Sequence, residues 1–160
     1  MTITLSINGK HASVDIPANK RLVDILRDEF KLLSSRAGCY AGVCGNCEVL
    51  YHGKLVHSCL VPAFSAQGSD IVTAEGLSRD QEFNEVTAGF QEAGATPCEN
   101  CRQSKTLSIY ALLRSTPHPT REDVARAVGW HHCRCIDIDS LCRAVDTVVS
   151  LRRTHRNANQ

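Results

Sequence analysis

The chain has 160 residues, 18 Lys and Arg against 17 Asp and Glu, and a net charge of +1, with no run of one sign that would mark a nucleic-acid or membrane surface. That length lets one ordinary domain or two small ones fold by hydrophobic burial alone, so nine cysteines are not needed as disulfide staples. The odd cysteine count, the polar opening "MTITLSINGK" and the lack of an apolar run near the roughly 20 residues of a membrane span lead to the expectation of a cytoplasmic protein. In that reducing compartment, clustered cysteines bind metal or do redox chemistry.

The chain opens on a strict alternation of Ile3, Leu5 and Ile7 with Thr4 and Ser6, followed by Asn8-Gly9. This predicts a strand entering a type I′ hairpin, with Val14 and Ile16 on the return strand and a stop at Pro17. Next, "RLVDILRDEFKLL" places Leu22, Ile25, Leu26 and Leu33 near helical spacing, which predicts a helix through Leu33. A loop rich in glycine and cysteine follows. Beyond it, "EVLYHGKLVHSC" has two β-prone runs around His52-Gly53, and "SDIVTA" supplies a last strand. Together these make a small sheet wrapped over a helix.

Near residue 77 the period changes from 2 to 3.6. "RDQEFNEVTAGFQEAG" spaces Phe83, Val86 and Phe90 along one helical face, and "LSIYALLRS" suits the centre of a helical packing unit. "TREDVARAVG" starts with Thr120 and Asp123 placed as a capping box and ends at Gly129, the expected C-cap. A last helix from about Asp139 carries Leu141, Val145, Val148 and Val149 on one face, and the basic "LRRTHR", Leu151 to Arg156, is expected as its solvated end. The expected domains are therefore 1–76 and 77–160.

Two cysteine groups carry the chemistry. Cys39, Cys44 and Cys47 follow the x4, x2 spacing of plant-type [2Fe-2S] proteins, with Cys59 downstream as the fourth thiolate. Gly38, Gly42 and Gly45 strip this loop of bulk, so that backbone N–H groups can approach a negatively charged cluster. Tetrahedral zinc is the alternative, but it needs no such loop. The second group is Cys98 and Cys101 with Cys133 and Cys135. A C-x-C pair crowds a single zinc ion and suits one iron of a two-iron cluster, so a second [2Fe-2S] site stands against zinc here, and the C-x2-C-x2-C-x3-C-P run of bacterial [4Fe-4S] proteins is missing. Cys142 is expected to pack as a small hydrophobe in the last helix. His131 and His132 are expected beside the site or at the surface. The chain shows no nucleophile-and-base constellation, Rossmann fingerprint or P-loop.

The two groups in this order resemble the small iron–sulfur subunit of the xanthine dehydrogenase, or molybdenum hydroxylase, family. The motifs that carry the resemblance are "LVDILRDEF", "GCYAGVCGNCEV", "VHSCLVPA", "AEGL", "YALLRSTPHPT" and "CRC". The resemblance implies an α+β chain: an N-terminal β-grasp domain like plant-type ferredoxin, then a C-terminal four-helix bundle, each with one [2Fe-2S] cluster. It implies that Cys39, Cys44, Cys47 and Cys59 hold the cluster farther from molybdenum and Cys98, Cys101, Cys133 and Cys135 the nearer one. Molybdopterin is expected on a large partner subunit and FAD on a medium one, with no nucleic-acid or membrane partner. The implied function is one-electron relay between them, and a two-cluster carrier serving another oxidoreductase is the alternative.

The departures from the family pattern concentrate at "PCENCRQS", where Gln-Cys-Gly-x-Cys-Thr-Pro-Gly is usual, and at Ile136-Asp137-Ile138 in place of Thr-Gly-Tyr. Pro97 has no side-chain donor for the pterin contact that the glutamine commonly makes. Glu99 and Asp137 bring negative charge toward the second cluster, which disfavours its reduction.

Overall fold

The structure is a computed structural model that describes residues 1–158, with side chains described through residue 154. It divides into two compact units, Met1–Ser78 and a second from Arg79 onward.

The first unit is a five-stranded mixed sheet over a short helical segment. Strands β1 (Thr2–Ile7) and β2 (Lys10–Asp15) pair antiparallel. Asn8 and Gly9 both sit in the left-handed region at their turn, φ 51° and 77°, which gives the hairpin a twist that matches its strands. The alternation buries Ile3, Leu5 and Ile7 on one face. Strands β3 (Glu48–Tyr51) and β4 (Lys54–His57) repeat the device, with His52 and Gly53 also at positive φ. Strand β5 (Asp70–Val72) joins the hairpins, parallel to β1 and antiparallel to β3, for an order β2-β1-β5-β3-β4.

The helix expected through Leu33 is much shorter. Helix α1 (Leu22–Asp24) passes into a wider π-type turn over Ile25–Glu29 and stops at Phe30. Widening the turn lets Leu22, Val23, Ile25 and Leu26 all reach full burial. Lys31 then adopts φ 56°, the Leu32 N–H donates to the Leu26 carbonyl, and Arg27 donates to the carbonyls of Leu33 and Ser35. The chain is thereby turned toward the cysteine loop, and Leu33 ends 57% exposed.

The "AEGL" segment forms a 3-10 turn, Ala74–Leu77. Its Glu75 carboxylate accepts from the Ser34 N–H at 2.7 Å, the Ser34 hydroxyl and the Thr73 hydroxyl. Burial pushes this carboxyl up, but the donors together hold it below the ordinary range. A depressed folded pKa contributes stability that is present above the unfolded value and is lost as pH falls through the folded one. Glu75→Gln is expected to cost about 1–2 kcal/mol at pH 7, with the difference from wild type vanishing as pH falls below about 4. Denaturant melts at the two pH values measure this directly.

The second unit is helical: α2 (Gln81–Glu92), α3 (Arg102–Ser115), α4 (Arg121–Ala127) and α5 (Ile138–Ala158). Asp80 caps α2 by accepting from the Phe83 N–H, and the expected Thr120–Asp123 capping box starts α4. Helix α4 ends with Val128, not Gly129, at its C-cap. Gly129 lacks the left-handed φ of a glycine cap, and a Cβ there would lie 3.1 Å from the Ala125 carbonyl. Phe83, Val86, Phe90, Tyr110, Leu141 and Val148 are buried. Gly89 lets α2 meet α5 closely, since a Cβ would stand 2.3 Å from Val148 Cγ2.

The expected solvated basic end is partly drawn inward. Arg152 Nε donates to Glu85 on α2 at 3.0 Å, with the two side chains only 11% and 10% exposed. His155 and Arg156 lie outside the described side chains. Among the described residues no helix is long and apolar enough to cross a membrane.

Candidate metal centres

The first cysteine group lies where the irregular loop after α1 enters β3. Tyr40, Gly42 and Gly45 take positive φ within it, and repeated left-handed residues fold the backbone back on itself. The N–H groups of Ala41 and Val43 then both donate to Cys39 Sγ at 3.4 Å. With the Cys44 amide they pull the Cys39 thiol down to about 6, the Ala41 bond contributing most. The three glycines do different work. A Cβ on Gly38 would come within 3.1 Å of Cys44 Sγ, whereas one on Gly42 would strike Leu60 Cδ1 at 2.5 Å. Gly45 is buried at φ 74°.

Cys47 and Cys59 lie beneath, each 1% exposed, in an apolar cluster with Val23. Burial pushes the Cys47 thiol up to about 12. Cys39 and Cys44 are half-buried above them, and among the described residues the four thiols of this group are not drawn together within 4.8 Å as those of the second group are. The fold thus delivers two thiol pairs, one near the surface and one in the core. Sequence reasoning missed Tyr40: its hydroxyl donates to Asp24 at 2.6 Å and ties the loop to α1. The only sequence signal was an aromatic residue beside Cys39, which does not specify its backbone conformation.

The second group is tighter. Cys98 and Cys101 precede α3, while Cys133 and Cys135 come from the α4–α5 loop. Their four Sγ atoms all lie within 4.8 Å of one another. Cys98 is 3.5 Å from both Cys101 and Cys133, and Cys101 is 3.3 Å from Cys135. Cys101 is the N-cap of α3, so the positive end of the helix dipole faces the thiols. The Cys98 N–H donates to Cys135 Sγ at 3.4 Å. The Cys101 N–H is the main cause that lowers the Cys98 thiol to about 6, while burial raises that of Cys101.

Tetrahedral zinc–thiolate bonding would set such sulfurs roughly 3.8 Å apart, and a two-iron core spreads two pairs further. The spacing therefore marks convergence and does not name the metal. The donor chemistry, four thiolates in each group with amide N–H donors on Cys39 and Cys135, fits an all-cysteine [2Fe-2S] centre.

No histidine joins either group among the described residues. His131 is buried with Nε2 3.1 Å from Ser108 Oγ, and His132 is exposed. Cys142 is half-buried on α5, and burial raises its thiol. Pro97 is buried, its carbonyl accepting from Arg102 Nε at 3.3 Å, while Glu99 and Asp137 are exposed.

Residues 5–75 match a family described as the 2Fe-2S iron–sulfur cluster binding domain, and residues 73–146 match the [2Fe-2S] binding domain. The chain is 39% identical over 135 residues to the nicotinate dehydrogenase small FeS subunit of Eubacterium barkeri, covering 84% of this chain and 86% of that one. It is 32% identical to a probable xanthine dehydrogenase subunit of Bacillus subtilis (strain 168), covering 88% and 80%. Among solved structures, quinoline 2-oxidoreductase from Pseudomonas putida 86 contains a chain that superposes with a TM-score of 0.85 at 31% identity, covering 96% of both chains.

Proposed function

This chain belongs to the small [2Fe-2S] iron–sulfur subunits of the xanthine dehydrogenase, or molybdenum hydroxylase, family, whose task is electron transfer; we propose that Cys39, Cys44, Cys47 and Cys59 hold one of its clusters and Cys98, Cys101, Cys133 and Cys135 the other. When bound, each cluster supplies a one-electron relay. The observation that supports the assignment is the convergence, for the second group, of four thiols from the segment that leads into α3 and the α4–α5 loop within 4.8 Å.

The finer architecture that fits is a β-grasp domain over about 1–76 and a four-helix bundle over about 77–160, working in the cytoplasm. The partners that fit are a large molybdopterin subunit as electron source and a FAD subunit as acceptor. The chain's own residues have structural tasks in this relay. Cys47 and Cys59, packed against Val23, keep water from the inner side of the first group. The Ala41, Val43 and Cys98 amides donate toward thiolate sulfur and stabilise its charge. At "PCENCRQS", buried Pro97 removes the side-chain donor usual at that position, so pterin contact there falls to backbone groups.

Isolation through a tag on this chain tests the proposal. A large partner containing molybdenum and pterin should co-purify. A brown monomer that exchanges electrons with several oxidoreductases would support the two-cluster carrier instead, and a colourless zinc protein would overturn both.

A further inference from the structure

Helix α3 carries a lysine in its buried part. Lys105 is 4% exposed, one turn after Cys101, to whose carbonyl its N–H donates at 2.9 Å. Its Nζ reaches across to the Cys133 carbonyl, also at 2.9 Å. One residue thus joins both segments that supply the second thiol group. Among the described residues no carboxylate forms an ion pair with Lys105. A buried ammonium without a counter-charge is strongly destabilising, and a carbonyl is only a dipole. The negative charge within reach is that of the thiolates themselves, with Cys101 at the N-cap of α3, where Lys105 acts on it electrostatically, and Cys133 at the end of the hydrogen bond.

We infer that Lys105 is a positioning and tuning residue: a buried cation that clamps α3 to the Cys133–Cys135 loop and raises the reduction potential of the cluster held there. The inference rests on the proposal that Cys98, Cys101, Cys133 and Cys135 hold a [2Fe-2S] cluster. Reduction by a one-electron donor adds one negative charge to that cluster and takes no proton from Lys105, so a fixed positive charge nearby favours the reduced form. The acidic substitutions at Glu99 and Asp137 act in the opposite sense, but both are exposed, and Asp137 is engaged by the N–H and hydroxyl of Ser140. Water screens them more than it screens Lys105. The first group offers an internal control, because Arg21 donates to the Cys59 carbonyl at 2.6 Å from an exposed position.

The test compares full-length wild type with Lys105→Met, Lys105→Arg and Arg21→Gln, each assayed for iron and acid-labile sulfide and then titrated with dithionite under EPR. Lys105→Met should keep about four irons and lower the reduction equilibrium constant of the second cluster at least tenfold, which is 59 mV for one electron. Lys105→Arg should restore it to within twofold of wild type. Arg21→Gln should move the first cluster less than threefold. A fully loaded Lys105→Met with an unchanged potential would overturn the inference and leave the cluster assignment standing. Wild type lacking the second iron pair would instead refute the assignment. If Lys105→Met does not load, Lys105→Gln keeps an N–H donor toward Cys133 without the charge. It must show the same downward shift, and a wild-type potential in that variant overturns the inference.

Discussion

Cys101→Ala is expected to bind about two irons per chain in place of about four, to lose one of two EPR signals on reduction, and to reduce electron delivery to the acceptor to background. Cys101 is fully buried, lies within 3.5 Å of Cys98 and 3.3 Å of Cys135, and forms the N-cap of α3. Its removal leaves three thiolates, Cys98, Cys133 and Cys135, around a methyl group at the buried corner of the site. The ninth cysteine, Cys142, lies on α5 outside the converging group. Because metal-binding free energy is also folding free energy, the second unit should melt earlier. The first signal should persist, since its four thiols all come from residues 39–59. Metal analysis with EPR before and after dithionite distinguishes selective loss from general misfolding.

Arg152→Ala is expected to destabilise the second unit by about 3 kcal/mol. Glu85 and Arg152 face one another across α2 and α5 at 3.0 Å, each about nine-tenths buried, and Arg152 also donates to the Glu82 carbonyl at 3.4 Å. Removing the guanidinium takes a buried positive charge away from the Glu85 carboxylate, which still accepts from Gln81 Nε2 at 3.1 Å, and the remaining buried carboxylate is a costlier state than a structure lacking both charges. Arg152→Met combined with Glu85→Leu should therefore recover most of the loss. Chemical denaturation of Arg152→Met, Glu85→Leu and the double variant gives the coupling directly, and additive effects would count against a buried pair.

The first hairpin is legible in the sequence because its signals are local. Strict alternation sets the buried face, and Asn8-Gly9 has one favoured turn. The cysteine spacing is legible for a similar reason: ligand geometry constrains sequence separation. Helix α1 falls short of its expected length because apolar spacing does not show that Leu22, Val23, Ile25 and Leu26 all fit inside only when the turn widens. Helix α4 stops at Ala127 with Val128 as its C-cap, and Gly129 beyond it does not use glycine's φ freedom. In the sequence Arg152 and Lys105 look like ordinary helical cations, since nothing local reveals that one meets Glu85 and the other the Cys133 carbonyl. Their partners are 67 and 28 residues away. Such long-range polar pairs become visible only in the assembled fold.

On the proposed assignment, two [2Fe-2S] clusters occupy eight of the nine cysteines. Spin quantitation of the fully reduced protein, alongside iron and acid-labile sulfide, tests it most directly. Two clusters give about two S = 1/2 spins, four irons and four sulfides per chain. One spin with two irons, or zinc in the group of Cys98, Cys101, Cys133 and Cys135, would contradict it.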